Sequence, residues 1–305
     1  MSIDLSGRVA IVTGAGGGLG RSHALALARY GARVVVNDMS AAGADAVTAE
    51  IRAAGGEAVA CACSVTDRAA VQTMVDGAME RWGSIDILVN NAGILRDRTF
   101  AKMDLDDFAT VIDVHLMGSV YVTKAAWPHM RAQGYGRVIF TTSSSGLYGN
   151  FGQANYSAAK MALVGLMQTL SLEGEKFDIR VNCLAPSAAT QMTEGLYSAD
   201  DLRGLSADLV SPGVVALASV DAPTRVILLA GAGAFEQAHI TLTRGVYIGA
   251  EPDAAERIQL QWGRIGDRAF EQVPGSGSAQ YQHEVDHPDR PPARVAADPL
   301  LVRPG

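Results

Sequence analysis

Apolar and polar positions along the chain fall into two alternating textures. Short runs that are apolar almost throughout, many of them β-branched, recur at Val9 to Thr13, Arg33 to Asn37, Ala58 to Cys63, Ile87 to Asn90, Arg137 to Thr142, Arg180 to Leu184 and Val226 to Leu229. A strand with no polar face is covered on both sides, and the Ala- and Leu-rich stretches between these runs are long enough to be the covering helices. From Asp67 to Trp82, for instance, Val71, Met74, Val75 and Met79 fall on one helical face. The alternation predicts a doubly wound α/β domain around a parallel seven-stranded sheet.

Past about Gly249 the texture changes. Residues 251–266 read as one more short helix, after which Pro, Gly, Asp, Arg and His dominate and little remains to fill a core. The expected organisation is therefore a main domain over residues 1–250 and a C-terminal extension over 251–305, with roughly its last 35 residues a disordered tail. Within it His283, Glu284 and His287 spell H-E-x-x-H, which on a helix sets two imidazoles one turn apart for zinc. Pro288 follows at once, Gly275 to Ser278 lie just upstream and no apolar stripe supports a helix, so no metal site is expected.

Composition narrows the classes. A net charge of −7 without a basic cluster leaves nucleic acid no electrostatic footprint. The three cysteines are odd in number, and Cys61 and Cys63 are read as facing opposite sides of the third strand, so a reducing compartment without a disulfide frame is expected. No apolar run approaches ~18 residues and the N-terminus lacks a leader pattern, which predicts a cytoplasmic protein with no membrane partner.

Chemistry enters after the first strand, at Thr13-Gly14-Ala15-Gly16-Gly17-Gly18-Leu19-Gly20. A side-chain-free turn from strand to helix lets backbone N–H groups and the helix N-terminus face a diphosphate, with Gly14, Gly18, Leu19 and Gly20 as its seat. The second strand ends in Asp38, near the ~20-residue spacing of a ribose-binding acid in a Rossmann-type fold. A carboxylate accepts both ribose hydroxyls and repels a 2′-phosphate, and Met39 stands where a phosphate would call for Arg or Lys; NAD is favoured over NADP. Asp38 also suits a helix N-cap, and the two roles are compatible.

The strand ending near Thr142 is followed by Ser143, and Tyr156-Ser157-Ala158-Ala159-Lys160 opens a long apolar helix. Tyr156 and Lys160, at i and i+4, share a helix face. A phenol serving as a base near neutrality must drop about three pKa units, about 4 kcal/mol; one ammonium at ~4 Å in an effective dielectric of ~20 supplies about that, so Lys160 and the positive nicotinamide of an oxidised cofactor suffice. Ser143 would hold the substrate oxygen. The bland alternative, a core aromatic beside a snorkelling lysine, fits Y-x-x-x-K alone but not the whole ordered set.

With those residues in place the chain resembles the short-chain dehydrogenase/reductase family from Leu5 to about Gly249. The carrying motifs are Thr13-Gly14-x3-Gly18-x-Gly20, Asn90-Asn91-Ala92-Gly93, Ser143, Tyr156-x3-Lys160 and Pro186. The resemblance implies that the Asn90 to Gly93 turn supports the sheet and lies along the cofactor, with contacts from Asn90, Asn91, Ala92 and Gly93. It further implies that Thr190 touches the carboxamide and that Pro186, Tyr156 and Lys160 touch the cofactor. Three positions depart from the pattern. His115 stands where the family has an asparagine that positions a water, and it is either catalytic in that way or structural. Ser64 replaces an acid at the adenine, leaving Val65 as the contact, and Arg225 replaces a glycine near the last strand.

A narrower resemblance is to the (3R)-hydroxyacyl-CoA dehydrogenase domains of peroxisomal multifunctional enzymes and their bacterial relatives. It rests on the loop and Asp38, on Asn90 through Arg98, on His115 and on Tyr148 through Tyr156. It implies oxidation of a (3R)-hydroxyacyl-CoA, or else of a 17β-hydroxysteroid or another alcohol; a non-catalytic cofactor-binding regulator is the reading from a different class. Residues 187–212, with Met192, Leu196, Tyr197, Leu202 and Leu205, are the expected lid over an apolar chain. Arg203, Arg96, Arg98 and Arg225 are the cations near enough in sequence for CoA phosphates. The helix from Tyr156 to about Gly174 is apolar on more than one face, which suggests a homodimer or homotetramer.

Overall fold

The computed structural model describes residues 3–188 and 204–291. Eight strands form one sheet: β1 (Val9–Thr13), β2 (Arg33–Asp38), β3 (Ala58–Ala62), β4 (Ile87–Asn90), β5 (Gly136–Thr141), β6 (Ile179–Ser187), β7 (Ile227–Gly231) and β8 (Ala234–Ala238). Their order is β3-β2-β1-β4-β5-β6-β7-β8. The first seven run parallel, as the unbroken apolar runs predict, and β8 returns antiparallel on β7.

The eighth strand corrects the expected count. A two-residue turn joins it to β7, with Ala232 at φ 50° and Gly233 at φ 80°, the backbone of a type I′ hairpin. Ala234, Phe235, Glu236 and Gln237 are exposed, so this edge strand lacks the two-sided apolar run that marked the others.

Helices cover both faces. On one side α1 (Gly18–Arg29), α2 (Ala41–Ala53) and a later helix over Ser211–Ala218 bury Ala24, Leu27, Val47, Ile51, Val214 and Leu217. On the other, α3 (Arg68–Trp82), α4 (Leu105–Ile112), α5 (Gly118–Gln133), the short α6 (Ser144–Tyr148) and α7 (Ala154–Gly174) line up, and α3, α5 and α7 bury Met74, Val75, Val122, Met130, Leu163 and Met167. A wider turn at Asp113–Met117 joins α4 to α5. The α3 residues predicted to face the core do so, with Val71, Met74 and Val75 buried.

One further expectation is corrected. Cys61 and Cys63 share a face, their sulfurs 3.8 Å apart, because side chains alternate along a strand and i, i+2 therefore match. The chain divides into compact units at Ala238/His239. In the second unit the segment read as a tail carries a helix over Ser278–Val285. His283 lies on that helix and His287 past its end. His283 Nε2 meets Arg244 O at 2.9 Å and Nδ1 meets the Gln272 amide at 3.2 Å. Neither ring nitrogen is open to a metal. No cluster of three or more His, Cys, Asp or Glu suited to a metal occurs among the described residues, and none of the described helices is long and apolar enough to cross a membrane.

Candidate active site

The strand order reverses between β1 and β4, and a crevice at the carboxyl ends of the strands follows from that reversal. The loop after β1 enters α1 there. Gly14 and Gly18 hold φ of 63° and 52°, a region that disfavours any side chain. At Gly20 the constraint is packing: a methyl would sit 2.1 Å from Gly14 O and 2.7 Å from Asn91 Nδ2. Helix α1 starts on Gly17 with no side-chain cap, which leaves its first-turn N–H groups without intrahelical partners and suited to an anion. Gly17 faces open space, while Leu19 packs against the core.

Asp38, at the end of β2, is drawn to this loop. Its Oδ2 accepts from Gly16 N and its Oδ1 from Ser40 N, both at 2.9 Å. The N-cap of α2 is Ser40, whose hydroxyl accepts from Gly43 N, so the helix-capping alternative for Asp38 passes to its neighbour. Two backbone donors leave acceptor capacity on the carboxylate for hydroxyls.

The turn after β4 braces the loop. Asn91 Nδ2 donates to Thr13 O (3.0 Å) and Gly14 O (3.2 Å), and the N–H groups of Asn91 and Ala92 donate to Thr13 Oγ1 at 3.0 and 3.1 Å. Asn90 is buried and donates to Thr123 Oγ1 at 3.1 Å. Thr13 was not singled out from the sequence, although it opens the glycine motif; its hydroxyl ties two strands' ends together. Gly93 is required by an aromatic ring, since a methyl there would meet His115 Cε1 at 2.2 Å.

His115 sits in the wide turn, 2% exposed. Its Nε2 lies 3.0 Å from Ile94 N and 2.7 Å from Ile94 O, and its ring meets Tyr156 edge-on at 5.2 Å. Burial, then the Lys160 charge, lowers its pKa to about 3. The imidazole is neutral and built into the wall beside Tyr156.

Ser143 caps α6 by accepting from Ser145 N at 3.2 Å, and its side chain is near enough to the Tyr156 phenol to lower the phenol's pKa. Tyr156 lies in the first turn of α7, its N–H bonded to Asn155 Oδ1 at 2.7 Å. Lys160 is buried one turn on, with Nζ donating to Thr141 O at 2.5 Å and standing 5.5 Å from the Tyr156 ring centroid. The sequence therefore brings the three together as expected, but the electrostatics differ. Burial raises the phenol above its ordinary value, with Asp97 adding to that and Ser143 partly offsetting it. Burial also lowers Lys160 to about 7. Lys160, turned toward a carbonyl, does not by itself lower the phenol; the expected depression counts it together with the positive nicotinamide of an oxidised dinucleotide.

Asp97 and Gln153 form the rim. Gln153 Nε2 donates to Asp97 Oδ2 at 2.7 Å, Asn155 Nδ2 to Arg96 O at 3.0 Å, and Arg98 N to Gly152 O at 2.9 Å. These bonds dock the segment after Gly93 on the start of α7. Residue composition alone does not reveal them, because the partners are more than fifty positions apart.

The remaining predicted residues are more scattered. Ser64 bonds Thr66 within its own turn, and Val65 is buried against Gly118. Pro186 belongs to β6, opposite Ala230, rather than following it. Arg225 precedes β7, and its N–H donates to Val181 O at 2.8 Å; it lies at the opposite end of the sheet from the site and is not a CoA contact. Its φ of 66° explains why a glycine suits the position. Arg96 pairs with Asp107 at 3.4 Å. Thr190, Met192, Leu196, Tyr197, Leu202 and Arg203 lie outside the described residues.

The chain is similar to known proteins of one family. The family described as short chain dehydrogenase matches residues 8–201. A short-chain type dehydrogenase/reductase of Mycobacterium tuberculosis is 43% identical over 278 residues, 88% of this chain and 97% of its own. The solved full-length peroxisomal multifunctional enzyme type 2 of Drosophila melanogaster is 37% identical with a TM-score of 0.80; the match covers 93% of this chain and 50% of that one. A 7α-hydroxysteroid dehydrogenase solved with NADH and 7-oxoglycochenodeoxycholic acid is 29% identical, with a TM-score of 0.71, over 76% of this chain and 95% of that one.

Proposed function

The chain belongs to the short-chain dehydrogenase family and is an oxidoreductase of that type, and from this premise we propose that it uses NAD to oxidise a (3R)-hydroxyacyl-CoA to the 3-oxo form. The observation that carries the reading is the convergence of Ser143, Tyr156 and Lys160 beside the glycine loop and Asp38. Gly14, Gly18 and Gly20 leave a cradle that any Cβ would fill or strain, which fits a diphosphate. Asp38 favours NAD because its carboxylate would repel a 2′-phosphate. Asn90, Asn91, Ala92 and Gly93, with Val65, Pro186 and Thr190, complete the proposed seat. When bound, the dinucleotide supplies the hydride acceptor.

Ser143 holds the substrate oxygen by a hydrogen bond. During oxidation Tyr156 takes the hydroxyl proton as its own phenol proton leaves toward Lys160, and the reverse occurs during reduction. Lys160, poised near pH 7 by its burial, passes the proton on. His115 is a positioning residue: its ring supports Tyr156 edge-on and its Nε2 fixes Ile94.

The similarity to a multifunctional enzyme supports the acyl-CoA substrate. The similarity to a steroid dehydrogenase favours a hydroxysteroid as the second reading, and exposed Tyr148 and Phe151 near the rim suit either apolar chain. A homodimer or homotetramer is proposed, with Met161 and Leu172 of α7 left exposed for an interface.

The test is the absorbance of reduced nicotinamide when the purified protein receives NAD and a (3R)-hydroxyacyl-CoA. Turnover is expected, and Tyr156→Phe should lower kcat by about 10²–10⁴ while leaving NAD affinity near its starting value. Activity confined to free alcohols or sugars rejects the substrate, and preference for NADP rejects the cofactor.

A further inference from the structure

A pair of thiols on the edge strand has no place in the chemistry above. Cys61 in β3 and Cys63 just beyond it are both half-buried, with Sγ atoms 3.8 Å apart. They line an open cavity of about 710 Å³ between β3 and α3, shared with Val35, Met74, Ala78 and Arg81. No strand pairs with the outer side of β3 among the described residues, so that edge is the part of the sheet freest to shift.

We propose that Cys61 and Cys63 are a redox-sensitive dithiol that closes to a disulfide with hydroperoxides and, in closing, loosens the dinucleotide seat. The two thiols are unlike. A hydrogen bond from Cys63 lowers the Cys61 thiol to about 7, whereas that same contact, burial and the Asp67 charge push Cys63 up. Either sulfur can donate in that contact; with Cys61 accepting, Cys61 is the nucleophile and Cys63 the resolving thiol. The Cys61 thiolate attacks one peroxide oxygen; an S–O bond forms, the O–O bond breaks, and the departing hydroxide takes up the proton Cys61 released. The Cys63 thiol then attacks the Cys61 sulfur, the S–S bond replaces S–O, and a second water leaves. Two thiols lose two electrons and the peroxide gains two.

Closure is coupled to the seat by the backbone. Asn37 Nδ2 donates to Cys61 O, Cys63 O and Cys63 Sγ at 3.1, 3.0 and 3.2 Å, and Cys63 N donates to Asp38 O at 3.1 Å. Ser64 and Val65 follow directly. Extended residues i and i+2 hold their Cα atoms about 6.6 Å apart, near the upper limit of roughly 6.8 Å for a disulfide. Bringing the sulfurs from 3.8 Å to about 2.05 Å must pucker the strand end to which Asn37 and Asp38 are bonded.

The affinity effect rests on the proposed use of NAD, so the experiment has a readout independent of it. The full-length protein is treated with hydrogen peroxide, mapped by peptide mass spectrometry and titrated with NAD before and after dithiothreitol. The expected result is a Cys61–Cys63 disulfide, intact Cys183, and NAD binding weakened about tenfold, an ordinary magnitude for coupled sites, recovered on reduction. Cys61→Ser and Cys63→Ser should bind NAD as the parent does and ignore peroxide. A Cys61 that reacts no faster than the buried Cys183, or a disulfide that leaves affinity unchanged, overturns the proposal. If the reduced protein binds no dinucleotide, the proposed function fails instead; hydrogen exchange at residues 63–65 then decides the inference, with unchanged protection overturning it.

Discussion

Two buried histidines set the response of the fold to acid. His23 and His115 are each lowered to about 3, both chiefly by burial. His23 Nδ1 meets Ser211 Oγ at 2.8 Å and its Nε2 has no hydrogen-bond partner, so a proton added there is a buried charge. The unfolded chain protonates near the ordinary value of ~6.5, binding more protons than the folded one below that pH. The stabilisation is thus complete above ~6.5 and is lost as pH falls toward 3. At pH 5 each histidine forfeits about 2 kcal/mol. Urea midpoints measured at pH 7 and pH 5 should drop steeply for the parent, and His23→Asn should remove about half of the drop. Equal slopes for the two proteins would refute this account. His115 could be picked out from its place in a motif, but its neutrality could not: that depends on burial and on the Lys160 charge, which act on it only in the folded chain.

At the scale of elements, the strand-to-helix turn between β1 and α1 was legible because its residues are local and their chemistry is positional. The packing reason for Gly20 was not, since the obstructing atoms belong to Gly14 and to Asn91, the latter seventy positions away. That reason makes a contrast testable. Gly20→Ala forces a methyl against a backbone carbonyl at 2.1 Å, and overpacking of this kind costs about 1–3 kcal/mol. The same substitution at Gly17, whose φ is −171° and where a methyl meets nothing within 4 Å, should leave stability within about 0.5 kcal/mol. Both should weaken dinucleotide binding, Gly17→Ala by crowding the open side of the seat alone. Thermal melts of the two variants check the stability difference, and calorimetric titration with NAD checks the binding. Similar melting temperatures would remove the packing explanation. Strand β8 and the paired faces of Cys61 and Cys63 show the limits on the other side. One strand was missed because its residues are exposed, and a face was misassigned where the period of two was misapplied.

At the scale of the molecule, the two-layered helix cover and the strand reversal follow from the apolar runs, and residues 1–238 contain all the buried apolar side chains of the described chain. Among residues 239–291 His287 is the one buried residue. The helix over Ser278–Val285 could not be read from the composition past Gly249. Ordering a residue costs about 1–2 kcal/mol of backbone entropy, and with no apolar side chain of residues 239–291 fully buried, the offsetting term is small. Leu260 is 84% exposed, and Trp262 and Phe270 70% each, an unusual load of uncovered apolar surface. A peptide spanning residues 239–305 on its own should therefore give the far-ultraviolet circular dichroism of an unfolded chain, with no cooperative melt. A helical spectrum that melts sharply would show that local interactions suffice to order this unit and that its shortage of buried groups has been misjudged.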